Sequence, residues 1–412
     1  MSARPESHPA AAEMTALLDR LASFTESGPG TTRLLYTPPW REAQSYLMER
    51  MAELGFETAE DAVGNVYGRV SGIRPEEGVI LSGSHIDTVA GGGRYDGAYG
   101  VAAAIAAISY LRRVHGPPLR TLEAASFCEE EGSRFPLAYW GSGHVNGVYS
   151  GGEADCRDAD GVTLKAAMAA VCRADAPAPY RSDIAAYAEL HIEQGILLER
   201  TRTPIGIVTA IVGQRRYGIS VGGTANHAGT TPMGMRRDAL AGAAEMIAEL
   251  ERSALAAGEP LVATTGHLSV TPNTPNVIPG EVRFTLDIRH SDDWALDAFS
   301  ARTLETFAAI ADRRGLELSV KAHLAAPSAR MDEALCERLE RICRADGLPF
   351  RRMVSGAGHD AQLFAPRVPS CMIFVPSRGG VSHSPDEYTG PAELEAGLGA
   401  LTALLYELAY RA

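Results

Sequence analysis

The sequence lacks several features, and each absence narrows the field. None of its 412 residues lies in an apolar run approaching the ~18 that a membrane span requires. Its first 22 residues contain no apolar stretch of the secretory kind, so no signal peptide is expected and residues 1–10 read as a loose tail. Positive charge is in deficit: 38 Lys and Arg stand against 51 Asp and Glu, for a net charge of −13 and a pI near 5.4. That balance argues against nucleic acid or an anionic membrane as a partner, without constraining the field inside a cleft. Cysteine is sparse. Cys128, Cys156, Cys172, Cys336, Cys343 and Cys371 form no CxxC pair, which makes them poor metal-ligand candidates. Reduced thiols in the cytoplasm are the expectation. There is no internal repeat, and 175–179 is only a small Pro/Ala loop.

What remains is a globular composition, 45% hydrophobic and 22% charged, on a chain long enough for two domains. The apolar patterning predicts helices over 11–24 and 40–54, strands over 65–70 and 79–82, a helix over 97–115 and a strand over 121–127. Further strands are predicted over 184–191 and 205–212. This alternation indicates an α/β domain with a mostly parallel sheet. Between 214 and 326 the rhythm changes. Strand 216–222, helix 234–256, strands 261–270 and 282–289, helix 292–313 and strand 316–323 give the β-α-β-β-α-β order of a ferredoxin-like unit. After Pro327 the α/β rhythm returns, with helix 331–345, strand 371–375 and helix 391–410. The expected organisation is a discontinuous domain, 1–213 and 327–412, interrupted by an inserted domain, 214–326.

The glycine-rich run 82–100, SGSHIDTVAGGGRYDGAYG, carries His85, Asp87 and Asp96 just after an apolar strand. Ligands of open parallel sheets bind beyond the carboxyl ends of strands. Other candidates lie at such ends: Glu130 and Glu131 after strand 121–127, His191 ending strand 184–191, and His383 beyond strand 371–375. Imidazole and carboxylate together suit a pair of divalent ions, a carboxylate can bridge them, and a neighbouring Glu can serve as general base. Asp87, two residues from His85, is placed to orient that ring. On residue types alone, a metal site and a set of structural histidines with solvated acids both stay open.

Seven motifs in order, SGSHIDT, YDG, EEEGSRF, HIEQG, NHAGTTPM, SGAGHDA and SHSP, resemble the M20 family of two-metal amidohydrolases, and within it the carbamoylase branch, over about residues 20–410. The resemblance implies that His85, Asp96 and His191 hold one metal, and that Asp96, Glu131 and His383 hold the other, with Asp96 bridging. It makes Glu130 the general base and Asp87 the orienter of His85, counting back from Gly132 and leaving Glu129 structural. It implies two divalent ions per subunit, manganese or zinc, with cobalt or nickel also accepted. It further implies a homodimer in which His227 reaches the partner's active site to stabilise the tetrahedral oxyanion, and an inserted domain that acts as lid and dimer surface.

On the substrate side, Arg289 at the end of strand 282–289 offers a bidentate grip on a carboxylate. Asn276 and Gln194 offer amide donors and acceptors for a ureido group. The Gly-rich stretch 355–360 lines the pocket by resemblance, with Gly358 giving close backbone approach and His359 a substrate contact. Arg215 and Arg216 brace the start of the insert or touch ligand. The implied substrate is a small ureido-carboxylate. TRLLYTPPW, AIVGQRRY and SGAGHDAQLFAPRVPSCMIF, which lie outside the metal set, resemble members of the branch that act on allantoate, and that resemblance implies its hydrolysis to ureidoglycine or ureidoglycolate, ammonia and carbon dioxide. N-carbamoyl-L-amino acids, ureidoglycolate and β-ureidopropionate are the alternatives. A peptidase of the same family is disfavoured by HIEQG and Arg289, and a catalytically dead binding protein by the complete donor set.

Overall fold

A computed structural model describes residues 8–149, 152–173 and 176–411. In chain order the strands are β1 Glu57–Glu60, β2 Val66–Val70, β3 Val79–His85, β4 Thr121–Phe127, β5 Ile184–Ile192 and β6 Ile205–Ile211. They continue with β7 Gly213–Gly222, β8 Asn226–His227, β9 Val262–Thr264, β10 Leu268–Thr271, β11 Val277–Ile278 and β12 Glu281–His290. The last four are β13 Glu317–Ala326, β14 Ala329–Arg330, β15 Phe350–Ser355 and β16 Ser370–Val375. The chain divides into two compact units, Met1–Thr209 with Arg330–Ala412, and Ala210–Ala329.

The first unit is built on a sheet of order β1-β2-β4-β3-β5-β16-β6-β14, with β15 also pairing β6. Its four central strands, β4, β3, β5 and β16, run parallel. The flanking pairs β1–β2, β2–β4 and β16–β6 are antiparallel. The central strands are buried on both faces, as their near-continuous apolar sequences require. Helix Ala98–His115 packs on β3, β4 and β5, beside helices Ala11–Ala22 and Pro391–Ala409. Its run of alanines keeps it thin enough to be buried on almost every side. No helix among the described residues is long and apolar enough to cross a membrane.

The second unit has a sheet of order β10-β12-β7-β13, with β9 also pairing β12, and its long strands are antiparallel. Val282, Phe284, Leu286 and Ile288 alternate on β12 and meet helices Ala239–Ala257 and Asp293–Arg314 in one apolar core. This is the ferredoxin-like order, except that the strand predicted over 261–270 is broken into β9 and β10. The first helix starts five residues later than predicted, at the cap where the Asp238 carboxylate accepts from the N–H groups of Leu240 and Ala241.

Of the tail predicted over 1–10, residues 1–7 lie outside the described residues. His8, by contrast, is held: its ring lies 5.4 Å from that of Tyr110, and Ala10 is buried beside it. Residue 175 of the small Pro/Ala loop is also outside the described residues; 176–179 carry no helix or strand.

Candidate metal centre

Because β4, β3, β5 and β16 are parallel neighbours, their carboxyl ends fall on one edge. His85 is the last residue of β3 and pairs with Phe127, the last of β4, so Cys128–Glu131 leave the sheet beside it. His191 pairs with Phe374 near the ends of β5 and β16, and the chain beyond β16 returns with His383. Asp96 comes from the glycine-rich loop before helix Ala98–His115. That loop can approach because Gly97, at φ +62°, has no side chain; a Cβ there would lie 2.5 Å from the His85 ring. Arg33, buried in the TRLLYTPPW stretch, donates to the carbonyls of Ile86, Leu21 and Phe24 and so fixes the backbone next to His85.

The other groups gather around Asp96. Its Oδ1 is 3.2 Å from His191 Nε2 and 3.7 Å from His85 Nε2. Its Oδ2 is 3.2 Å from His383 Nε2, and that nitrogen is also 3.2 Å from Glu131 Oε1. One carboxylate thus presents a separate oxygen to each of two donor sets, His85–Asp96–His191 and Asp96–Glu131–His383. Glu130 Oε2 lies 3.9 Å from His85 Nε2.

The histidines are oriented from behind. His85 Nδ1 is 3.0 Å from the Asp87 carbonyl, and His191 Nδ1 is 2.9 Å from the Ile192 carbonyl. With those ring protons committed, both Nε2 atoms are acceptors near Asp96 Oδ1, and His191 Nε2 also accepts the Gly97 N–H at 3.1 Å. A cation between these acceptors, a proton or a metal ion, would relieve their mutual repulsion. Burial lowers the His85 pKa, but the charges of Asp87, Asp96 and Glu131 outweigh it and raise it to about 9. Burial also acts to raise Asp96, but hydrogen bonds with His191 and His383 prevail and hold it well below the usual carboxylate range. Hydrogen bonds to Asp96 and Glu131 lift His383 to about 10. Burial and the neighbouring Glu131 push Glu130 well above its usual value. Four carboxylates and three imidazoles crowded at one sheet edge are what a divalent pair neutralises, and nitrogen with oxygen donors in this ratio suits zinc or manganese.

Some contacts differ from the sequence expectation. The Asp87 carboxylate is 3.7 Å from His85 Nδ1, beyond a hydrogen bond, because its other oxygen accepts from the Glu131 N–H; the main-chain carbonyl of Asp87 takes the ring proton instead. Gln194 donates from Nε2 to Asp96 Oδ2 at 2.9 Å, so this amide belongs to the carboxylate cluster, while its Oε1 is buried with no hydrogen bond. His359 is 2% exposed and lies beneath the donor set, its ring edge-on to His191 at 4.5 Å and its Nε2 on the Ser355 hydroxyl. Gly358 packs on Tyr139, where an added Cβ would lie 1.7 Å from the phenol oxygen. Glu129 is buried and braces the following loop, its Oε1 accepting from the N–H groups of Arg134 and Phe135.

The remaining site candidates lie in the second unit. His227 is exposed on β8, opposite Val277 of β11, and the Ala228 N–H donates to the Asn276 carbonyl, so His227 and Asn276 share one short ladder. Arg289 is on the β12 face away from the helices and donates from Nε to Asp287 Oδ1 at 2.8 Å; Arg216 donates to the same carboxylate. Arg215 donates to Asp297 and to the Ala326 carbonyl.

Sequence reasoning did not find Ser382, Glu387 or Tyr139. Four site residues, Glu129, Tyr139, Gln194 and His383, have positive φ without being glycine. Such strained backbone concentrates at functional sites, but no residue type announces it.

A parallel sheet that gathers two sets of imidazole and carboxylate donors around one shared Asp, with a further Glu beside them, defines a dinuclear metal-dependent hydrolase. The chain belongs to peptidase family M20/M25/M40, whose model matches residues 81–407. It is 46% identical to an allantoate amidohydrolase of Bacillus subtilis over 96% of this chain and 97% of that one. With an allantoate amidohydrolase of Escherichia coli it shares 44% identity over 95% and 96% of the two chains. A solved hydantoinase/carbamoylase family amidase from Burkholderia multivorans superposes with a TM-score of 0.92 at 35% identity, covering 96% of this chain and 97% of that one.

Proposed function

We propose that this chain is an allantoate amidohydrolase, hydrolysing a ureido C–N bond of allantoate with water to give ureidoglycine, ammonia and carbon dioxide. The observation that carries hydrolysis is Asp96, with one oxygen toward each donor set. The choice of allantoate rests on the 46% and 44% identities over nearly the whole chain. His85, Asp96 and His191 would hold one ion and Asp96, Glu131 and His383 the other. When bound, the pair polarises the scissile carbonyl and lowers the pKa of the attacking water. Glu130 takes that water's proton and returns it to the departing nitrogen. Gln194 keeps Asp96 in place. Asn276 and Arg289 receive the ureido and carboxylate groups, Arg289 after exchanging its Asp287 partner for substrate. His227, contributed by a second copy of the chain, donates from Nε2 to the oxyanion. Its Nδ1 accepts the Gly229 N–H at 3.0 Å, which puts the neutral ring's proton on Nε2. The second unit serves as lid and dimer surface. Zinc or manganese is the proposed ion, with cobalt or nickel able to substitute.

The test is ammonia release from a ureido panel. Allantoate is expected to give a kcat/KM at least about tenfold above that of N-carbamoyl-L-methionine, a gap of ~1.4 kcal/mol in transition-state binding. The reverse order would assign the chain to the carbamoylases, a reading kept alive by the hydantoinase/carbamoylase structure. Metal dependence has its own readout. Adding zinc or manganese to chelator-stripped protein at 100 times Kd is expected to stabilise it by ~2.7 kcal/mol per independent site, seen as a rise in Tm. A flat melting curve across the metal series would refute the two-ion assignment.

A further inference from the structure

Glu387 belongs to the chain segment that carries His383, yet its carboxylate is turned inward, 5% exposed, under the loop that carries Asp96. Its Oε1 accepts the backbone N–H of Tyr95 at 2.8 Å and of Asp96 at 3.2 Å. Its Oε2 is 2.9 Å from the Ser382 hydroxyl, and that hydroxyl is 3.1 Å from Asp96 Oδ2. One side chain therefore meets Asp96 twice, at its main chain and, through Ser382, at the oxygen that faces His383, with the single Ser382 hydroxyl proton between the two carboxylates. The same carboxylate fills the space beside Gly93: a Cβ there would lie 2.0 Å from its carbon. The other partner of Asp96 Oδ2 besides Ser382 and His383 is the Gln194 amide, which also comes within 3.4 Å of Ser382 Oγ.

We propose that Glu387, acting through Ser382, is the positioning residue that sets the rotation of the Asp96 carboxylate so that its two oxygens address separate donor sets, and that residue 93 is glycine because the Glu387 carboxylate occupies its Cβ position. This rests on the two-ion reading of the site. An Asp has one χ1 and one χ2; without outside contacts its carboxylate turns freely and chelates one side. Backbone contacts fix the Cα, and the Ser382 hydroxyl fixes the plane. Partners that orient ligands in this way typically govern metal affinity.

The experiment titrates chelator-stripped protein with zinc by calorimetry, reading stoichiometry and affinity, for wild type, Glu387→Ala, Glu387→Gln and Gly93→Ala. Wild type is expected to take two ions. Glu387→Ala is expected to lose ~10–100-fold in affinity. Glu387→Gln is expected to stay within about threefold of wild type, because the amide oxygen still accepts both N–H groups and its NH₂, now a donor, can hold Ser382 Oγ while the hydroxyl proton goes to Asp96. Gly93→Ala, which pushes the carboxylate away, is expected to resemble Glu387→Ala, and adding it to Glu387→Ala should cost nothing more. Should Glu387→Ala fail to fold, loss of affinity in Gly93→Ala beside retention in Glu387→Gln carries the same conclusion. Wild-type affinity in Glu387→Ala, or equal losses in Glu387→Ala and Glu387→Gln, would overturn the proposal. A wild-type protein that binds no zinc would instead overturn the two-ion reading on which it stands.

Discussion

Glu130→Gln is expected to lower kcat on allantoate by ~10²–10⁴-fold while both ions stay bound. The carboxylate is 7% exposed, its Oε2 lies 3.9 Å from His85 Nε2, and it is crowded by Glu131 and Asp360. A general base must hold and then release a proton, and an amide of the same shape does neither. Glu130 is in neither triad that contains Asp96, although it also lies in a group with His85 and Glu131; on the two-triad assignment metal content should remain near two per chain. The neutral amide also removes a negative charge that its neighbours disfavour, so the Tm should not fall. Steady-state kcat, metal analysis and a melting curve on one preparation decide the matter. Activity within tenfold of wild type would place the base elsewhere. Glu129 is a poor substitute, because its Oε1 is committed to two backbone N–H groups of the loop it braces.

What could be seen of this site in advance follows from which contacts are local. The run at β3 announces a buried strand, and β4 was legible to the residue. Strand β3 continues past the predicted end at Ser82 through Gly83, Ser84 and His85, which read as loop. Gly83 stays in the sheet because a Cβ there would lie 2.0 Å from the Ala125 carbonyl oxygen, and Ser84 because its hydroxyl donates to Glu189 on β5. Those partners lie 42 and 105 positions along the chain, and nothing local encodes them. The same holds for Glu387, which meets the Asp96 N–H across 291 residues and looks, in sequence, like any acid in a solvated turn. The antiparallel flanks of the first sheet and the short edge strands β1 and β15 were missed because their sequences, ETAE and FRRMVS, carry no apolar alternation. That His85, His191, Glu130 and Glu131 would share one edge could be read because the carboxyl end of a parallel strand is a local signal; their division into two donor sets came from the family resemblance. The orientation of His85 by a carbonyl rather than by Asp87's carboxylate could not, since it depends on where the Glu131 N–H sits.

His227→Ala is expected to lower kcat by ~10²–10³-fold, the scale of one oxyanion donor. The more decisive result comes from pairing it with Glu130→Gln. His227 is exposed in the second unit, its carbonyl accepts from the Thr231 hydroxyl and its Nδ1 from the Gly229 N–H, so the loop presents the ring with Nε2 outward. If the ring serves the other subunit of a two-fold dimer, then a heterodimer of the two variants holds one site with both Glu130 and His227 intact and one site with neither. Random association of equal amounts makes half the dimers mixed, so activity should return to about a quarter of wild type from two nearly inactive proteins. If His227 serves its own subunit, every site in the mixed dimer keeps one defect and activity stays at the level of the parents. Co-expression with two affinity tags, tandem purification and an ammonia assay separate these outcomes, and a monomer by light scattering with full activity would exclude the shared site at once. Recovery in the tandem-purified fraction would show that the domain bearing His227 completes an active centre whose metal donors and base all belong to the other chain.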